Sequence, residues 1–197
     1  MPRVVTERRL ARFKDVLSKR QLDLSVVAEN IFDPHNMSAM LRSCDAAGIS
    51  EVHLVYNSNT PFPKLGRKSS ASAKKWIEIK RYTSVADCYT SLRQQGFKIY
   101  TTHLSKKSIS LYDLDLTQPT ALVFGNEHSG VSDEAVKLSD GNFIIPQLGM
   151  IQSLNISVAC AVSVYEALRQ RLAAGLENTR LLNPDEFQIK LDEWINK

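Results

Sequence analysis

Short apolar runs alternate with segments of helical periodicity along this chain, and that alternation admits few folds. Strand-like runs fall near 25–29, 51–56, 76–81, 97–102, 120–124 and 142–145, with helical patterns at 34–47, 84–95 and 132–138 between most of them. Strands and helices in that order predict an α/β domain: a largely parallel sheet covered on both faces. An amphipathic basic helix is expected over 7–21, with Leu10, Phe13 and Leu17 on one side and arginines around the rest. A last helix should start at Asn183-Pro184, an N-cap followed by proline at the first helical position. It turns Phe187, Leu191, Trp194 and Ile195 to one side, to dock on the domain or on a partner subunit. Between them, 155–173 repeats Val158, Ala161, Val162, Tyr165, Leu168 and Leu172, a stripe read here as core packing, with a subunit interface as the alternative.

The chain has 197 residues, 43% of them hydrophobic, which suits one domain with short appendages: a basic N-terminal extension over 1–23, a main domain over 24–175 and a helical C-terminal extension over 176–197. No apolar run approaches the length of a bilayer span, and Met1-Pro2-Arg3 leads into a charged helix, so a cytoplasmic protein with no membrane partner is expected. Cys44, Cys88 and Cys160 are widely separated and form no C-x-x-C pair, which indicates neither a metal site nor a disulfide framework.

Charge is unevenly placed. Residues 1–112 carry 19 Lys and Arg against 9 Asp and Glu, whereas residues 113–197 carry 6 against 12. Two clusters dominate the basic half: Arg3, Arg8, Arg9, Arg12, Lys14, Lys19 and Arg20, then Lys64, Arg67, Lys68, Lys74, Lys75, Lys80 and Arg81. A charge run is commonly a solvated face, but two clusters flanking one apolar core suit a nucleic acid, whose phosphates bind such patches with release of counterions. The second cluster includes a Ser- and Pro-containing loop at 57–75 able to close over RNA.

The chemistry concentrates in three segments. In the first, Asp33 can cap a helix that begins at Pro34 and ends at Gly48. His35, Ser38 and Arg42 share one of its faces, and Asn36 sits in the first turn near N–H groups that attract anions. Arg42 beside a polar helix start suits a phosphate; the plainer alternative pairs it with Asp45 at i, i+3. In the second, an apolar strand runs into Phe124-Gly125-Asn126-Glu127-His128-Ser129-Gly130. In the third, Ile144-Ile145-Pro146-Gln147-Leu148-Gly149-Met150 precedes a polar triplet within Gln152-Ser153-Leu154-Asn155. Gly125 and Gly130 have Walker A spacing, but Val131 and Ser132 follow them, so the phosphate lysine is missing; nor is there a G-x-G-x-x-G. A cofactor here is not held by a pyrophosphate.

Three such segments in this order resemble the motifs of the SpoU/TrmH family of SPOUT RNA 2′-O-ribose methyltransferases. The first family motif matches at Asn36 through Arg42, the second at Phe124-Gly125-Asn126-Glu127 with Gly130, and the third from Ile145-Pro146 to Ser153-Leu154-Asn155. The basic N-terminal helix with Arg20-Gln21-Leu22-Asp23-Leu24 is similar to the branch that acts on guanosine 18 in the tRNA D-loop. The resemblance implies a Rossmann-like sheet with a C-terminal deep trefoil knot, a homodimer, S-adenosyl-L-methionine as cofactor and tRNA as partner. Ribosomal RNA or another tRNA position is the alternative substrate, and a non-catalytic RNA-binding paralogue the alternative role. By the same resemblance Thr102, Gly125, Ile145 and Leu154 would contact the cofactor, largely through backbone.

Arg42 would be the activating residue, with Asn36, Glu127, Ser153 and Asn155 orienting it, the ribose and the cofactor. A guanidinium stays protonated in proteins, so its expected part is to neutralise the substrate phosphate and the nascent alkoxide rather than to act as a base. Arg8, Arg9, Arg12, Arg20, His35, Lys68 and Lys74 are the expected RNA contacts. His128 reads as a solvated loop residue, and the C-terminal extension, with Arg180, Lys190 and Lys197 against five acids, as a poor match for the tRNA body.

Overall fold

A computed structural model describes residues 5–57, 62, 73–175 and 182–197. Seven strands form one sheet: β1 (Leu24–Glu29), β2 (Glu51–Val55), β3 (Glu78–Tyr82), β4 (Lys98–Thr102), β5 (Ile109–Ser110), β6 (Thr120–Phe124) and β7 (Gly141–Ile144). Their order is β3-β2-β1-β6-β4-β7-β5, and every pairing is parallel. β6 slots between β1 and β4, and β7 between β4 and β5, so the last two strands enter between strands formed earlier in the chain. The order also reverses direction between β1 and β6, and ligands of open α/β sheets bind outside the carboxyl ends of the strands at such a reversal.

Helices α2 (Pro34–Ala46) and α5 (Ile156–Ala173) cover one face of the sheet, where Val26, Ala28, Leu54, Leu122 and Phe124 meet Met37, Leu41, Cys44, Cys160 and Val164. Helices α3 (Val85–Gln94) and α4 (Asp133–Leu138) cover the other, where Val27, Ile99, Ala121 and Val123 meet Val85, Tyr89, Leu92 and Ala135. β1 is buried along its whole length because helices pack on both sides of it, which is why it reads as a continuous apolar run. The expected elements are present to within two residues at most of their ends; the two-residue edge strand β5 was not anticipated.

Helix α1 (Glu7–Leu17) and helix α6 (Pro184–Ile195) form a third cluster in which Phe13, Leu17, Leu191 and Trp194 are buried and Trp76 packs against them. The last helix thus docks on this chain's own first helix. Its start carries a full capping box, Asn183 with Glu186.

Two expectations need correction here. Arg20 is not an RNA contact, for it is 3% exposed. Its guanidinium donates to the Asp45 carboxylate at 2.5 Å, to the carbonyls of Ile49 at 2.9 Å and Trp76 at 3.2 Å, and lies 5.3 Å from the Trp194 ring. The α5 stripe is not plain core either. Val158, Tyr165 and Leu172 are 45–52% exposed, and the fully buried face is instead Cys160, Ser163, Val164, Ala167 and Arg171. Arg171 ends that face by pairing with the buried Asp23 carboxylate and donating to the carbonyls of Leu116 and Gln118, which fastens α5 to the start of β1.

Candidate active site

The three motif segments meet at the carboxyl edge of the sheet. The Asp33 side chain caps α2 by accepting from the His35 amide at 2.8 Å, and Pro34 occupies the first helical position. Asn36, in that first turn, donates through Nδ2 to Glu127 Oε1 at 2.8 Å. Its Oδ1 accepts from Asn155 Nδ2 at 3.0 Å. Asn155 is the N-cap of α5, its Oδ1 accepting from the Ser157 amide at 2.9 Å and hydroxyl at 2.6 Å. One hydrogen-bond chain, Glu127 to Asn36 to Asn155, therefore links residues more than ninety positions apart in sequence. Both side-chain amides are fixed in orientation, and Asn36 retains a second N–H for a ligand.

The loop that presents Glu127 is tightly closed. Asn126 and Gly130 exchange backbone hydrogen bonds in both directions at 2.9 Å. A Cβ on Gly125 would stand 2.1 Å from the Gly130 carbonyl carbon and the Val131 nitrogen, so only glycine fits.

Arg42 lies six residues beyond Asn36, about 9 Å further along the helix axis. It is exposed and, among the described residues, has no ion pair or hydrogen bond. Asp45, the partner offered by the plain alternative, is instead held by Arg20 at 2.5 Å. Arg42 lines a shallow dish with Ala39, Ser43 and Ala46 of its own helix and Tyr165 of α5. Ser38, expected on the same face as Arg42, is instead buried, whereas Arg42 is exposed.

The expected cofactor residues follow three neighbouring strands. Thr102 ends β4, Gly125 follows β6, Ile145 follows β7, and Leu154 precedes α5. The Thr102 hydroxyl donates to the Val123 carbonyl at 3.0 Å, which ties β4 to β6 at the crevice. From Gln147 to Asn155 the chain is exposed, with Leu148, Met150 and Ile151 open to solvent, and Ser153 makes no hydrogen bond among the described residues. Within this segment Gln147 Nε2 donates to the Ile145 carbonyl at 3.1 Å.

Of the expected RNA contacts, Arg8, Arg9, Arg12, His35 and Lys74 are exposed, Arg9 lying over the Phe13 ring and Arg12 3.2 Å from Asp15; Lys68 lies outside the described residues. Arg3, Lys64, Arg67 and most of the 57–75 loop also fall outside them. Sequence reasoning missed Asn126, Asn30 and Glu29 as supports of the site. The signal for Asn30 was present: an asparagine just after a strand is a residue tolerant of the left-handed backbone it adopts, φ 51°.

The remaining titratable groups near the sheet are structural. Burial, reinforced by the charge of Lys80, lowers the His53 pKa to about 4, so this histidine is neutral at physiological pH. Burial raises the Cys88 thiol to about 12, and contact with Cys44 together with burial raises that of Cys160 as well, so neither is a nucleophile. Among the described residues no cluster of His, Cys, Asp and Glu could hold a metal ion, and no helix is long and apolar enough to cross a membrane.

The sequence model of the SpoU rRNA Methylase family matches residues 23–165. A tRNA (guanosine(18)-2′-O)-methyltransferase of Thermus thermophilus is 44% identical over 192 residues, 98% of each chain. The crystal structure of a TrmH/SpoU tRNA modifying enzyme from A. aeolicus superposes with a TM-score of 0.89 at 39% identity, covering 96% of this chain and 95% of the other. That of the SpoU methyltransferase AviRb from Streptomyces viridochromogenes, in complex with the cofactor AdoMet, superposes with a TM-score of 0.68 at 28% identity, covering 78% of this chain and 60% of the other.

Proposed function

The chain belongs to the SpoU rRNA Methylase family, and on that premise we propose that it methylates the 2′-hydroxyl of guanosine 18 in the tRNA D-loop. This is the activity named for its Thermus thermophilus relative. The observation that carries the reading is the hydrogen-bond chain from Glu127 through Asn36 to Asn155, which joins all three motif segments around one crevice.

S-adenosyl-L-methionine would be held at Thr102, Gly125, Ile145 and Leu154 and would supply the methyl group from its sulfonium. The residues present fit it: the neighbouring strands β6, β4 and β7 bring Gly125, Thr102 and Ile145 to one edge of the sheet, and the loop before α5 exposes Leu148, Met150, Ile151 and Leu154 as apolar surface. Arg42, which has no ion pair among the described residues, brings a guanidinium that neutralises the phosphate next to the target ribose and the charge growing on its oxygen. Asn36, with Glu127 and Asn155 fixing its amide, orients the ribose, and Ser153 keeps a free hydroxyl for the substrate or cofactor. Arg8, Arg9, Arg12, His35 and Lys74 line the approach of the tRNA backbone, with Lys68 as a further contact.

The domain over 24–175 carries the chemistry and the flanking helices steer the RNA. The protein acts in the cytoplasm as a homodimer, the half-exposed Val158, Tyr165 and Leu172 of α5 being the surface a second copy would cover. The test is methyl transfer from labelled S-adenosylmethionine to unmodified tRNA transcripts, with and without guanosine 18 replaced. Label at that ribose, lost on replacement, is expected; label elsewhere or on ribosomal RNA alone would overturn the assignment.

A further inference from the structure

Glu127 reaches Asn36 from the tip of an exposed loop, and something must hold that loop in place. Asn126, the residue before it, is buried, only 7% exposed. Its Nδ2 donates to the Asn30 carbonyl at 3.0 Å, while its Oδ1 accepts from the amides of His128 at 2.7 Å and Ser129 at 3.2 Å. One amide side chain thus shapes the turn and tethers it to another element.

The receiving carbonyl is itself fixed. Asn30 follows β1 directly, adopts the only positive φ of a non-glycine residue among the described residues, and donates its own N–H to the Val55 carbonyl at 3.0 Å. A second brace stands at the far end of the loop, where the Ser132 amide donates to Glu29 Oε2 at 2.9 Å. The segment 126–132 is therefore clamped at both ends to the end of β1, at the point where the strand order reverses.

We propose that Asn126 is a positioning residue for methyl transfer: by tethering the loop to the Asn30 carbonyl it holds the Glu127 carboxylate on Asn36, and through Asn36 the amide of Asn155. The proposal rests on the reading of Glu127 as part of the reaction machinery. Asn126 makes no hydrogen bond to Asn36 or Asn155, so its effect on those two amides passes through Glu127.

A double-mutant cycle on single-turnover transfer to unmodified tRNA at saturating cofactor tests this. Asn126→Ala should slow the step by about tenfold to a hundredfold, and adding it to Glu127→Ala, which removes the acceptor of the Asn36 amide, should slow that variant further by less than about twofold. Asn126→Asp retains the acceptor for the two loop amides and loses the donor to Asn30, and should be as slow as Asn126→Ala. Losses that multiply in the double variant, or an Asn126→Asp enzyme at the wild-type rate, would overturn the proposal. Glu127→Ala at the wild-type rate would overturn both the reading of Glu127 and the proposal. An independent readout needs no RNA: the Asn36 side-chain amide resonance should move in Asn126→Ala to where Glu127→Ala puts it. An unmoved resonance overturns the proposal even if no tRNA is methylated.

Discussion

The corner where α1 meets α6 and the carboxyl edge of the sheet treat arginine in opposite ways. In the corner, Arg20 is buried under Trp194, with Asp45 and two carbonyls as acceptors. At the edge, Arg42 is exposed and without a partner among the described residues, although Asp45 lies three residues away on the same helix. The two facts are connected, since the corner takes the carboxylate that α2 would otherwise offer to Arg42. A buried guanidinium with several acceptors organises the fold, whereas an open one beside a polar relay is free for a substrate's charge. Helix-borne basic residues thus divide into structure and chemistry by burial, which a count of charges does not reveal.

The comparison breaks first at the other buried arginine. Replacing Arg171 by Met leaves the Asp23 carboxylate buried without its guanidinium and should destabilise the protein by about 3–5 kcal/mol, measured by urea unfolding; a loss under about 1 kcal/mol would mean that the pair is not what fastens α5. Arg20→Met should cost somewhat less, about 2–3 kcal/mol, because Asp45 is partly solvated. Below its lowered melting point this variant should still methylate, and a protein that keeps its stability but fails to methylate would place Arg20 with Arg42 after all.

A pH titration sharpens the same contrast between buried and open charge. His53 has a folded pKa near 4, below its ordinary value of 6.5, so the unfolded chain binds its proton first. Its contribution is intact above about pH 6.5 and is lost as the pH falls toward 4, by up to about 3 kcal/mol. Subtracting the curve of a His53→Gln variant should isolate this window, and parallel curves would contradict it. The smallest effect belongs to Arg8, which is exposed and without a partner among the described residues. Arg8→Ala should leave stability unchanged and lower the salt slope of tRNA binding by about one; an unchanged slope would remove it from the interface.

Much of this was legible beforehand for identifiable reasons. α2 announces itself through Asp33, Pro34 and Gly48, and the buried strands through continuous apolar runs, since both are local signals. The motif residues Asn36, Glu127 and Asn155 were legible as a set through family resemblance, but their mutual hydrogen bonds were not, because those depend on which strands become neighbours. Arg20 was misread as a nucleic-acid contact because its acceptors come from two segments distant in sequence, around 45–49 and at Trp76. The α5 stripe was misread because periodicity locates an apolar face without saying what covers it. Asn126 stood in the second motif, but its supporting role and that of Glu29 were not legible, as a side chain that bonds to backbone produces no periodic pattern.

The central claim is that Arg42 is kept unpaired for chemistry and contributes nothing to the fold. Its most direct test is the single-turnover methyl-transfer rate of Arg42→Ala on unmodified tRNA, taken with its unfolding curve. A fall of about a hundredfold or more at unchanged stability is the expected result. A rate near that of the wild type, or a loss explained by unfolding, would contradict it.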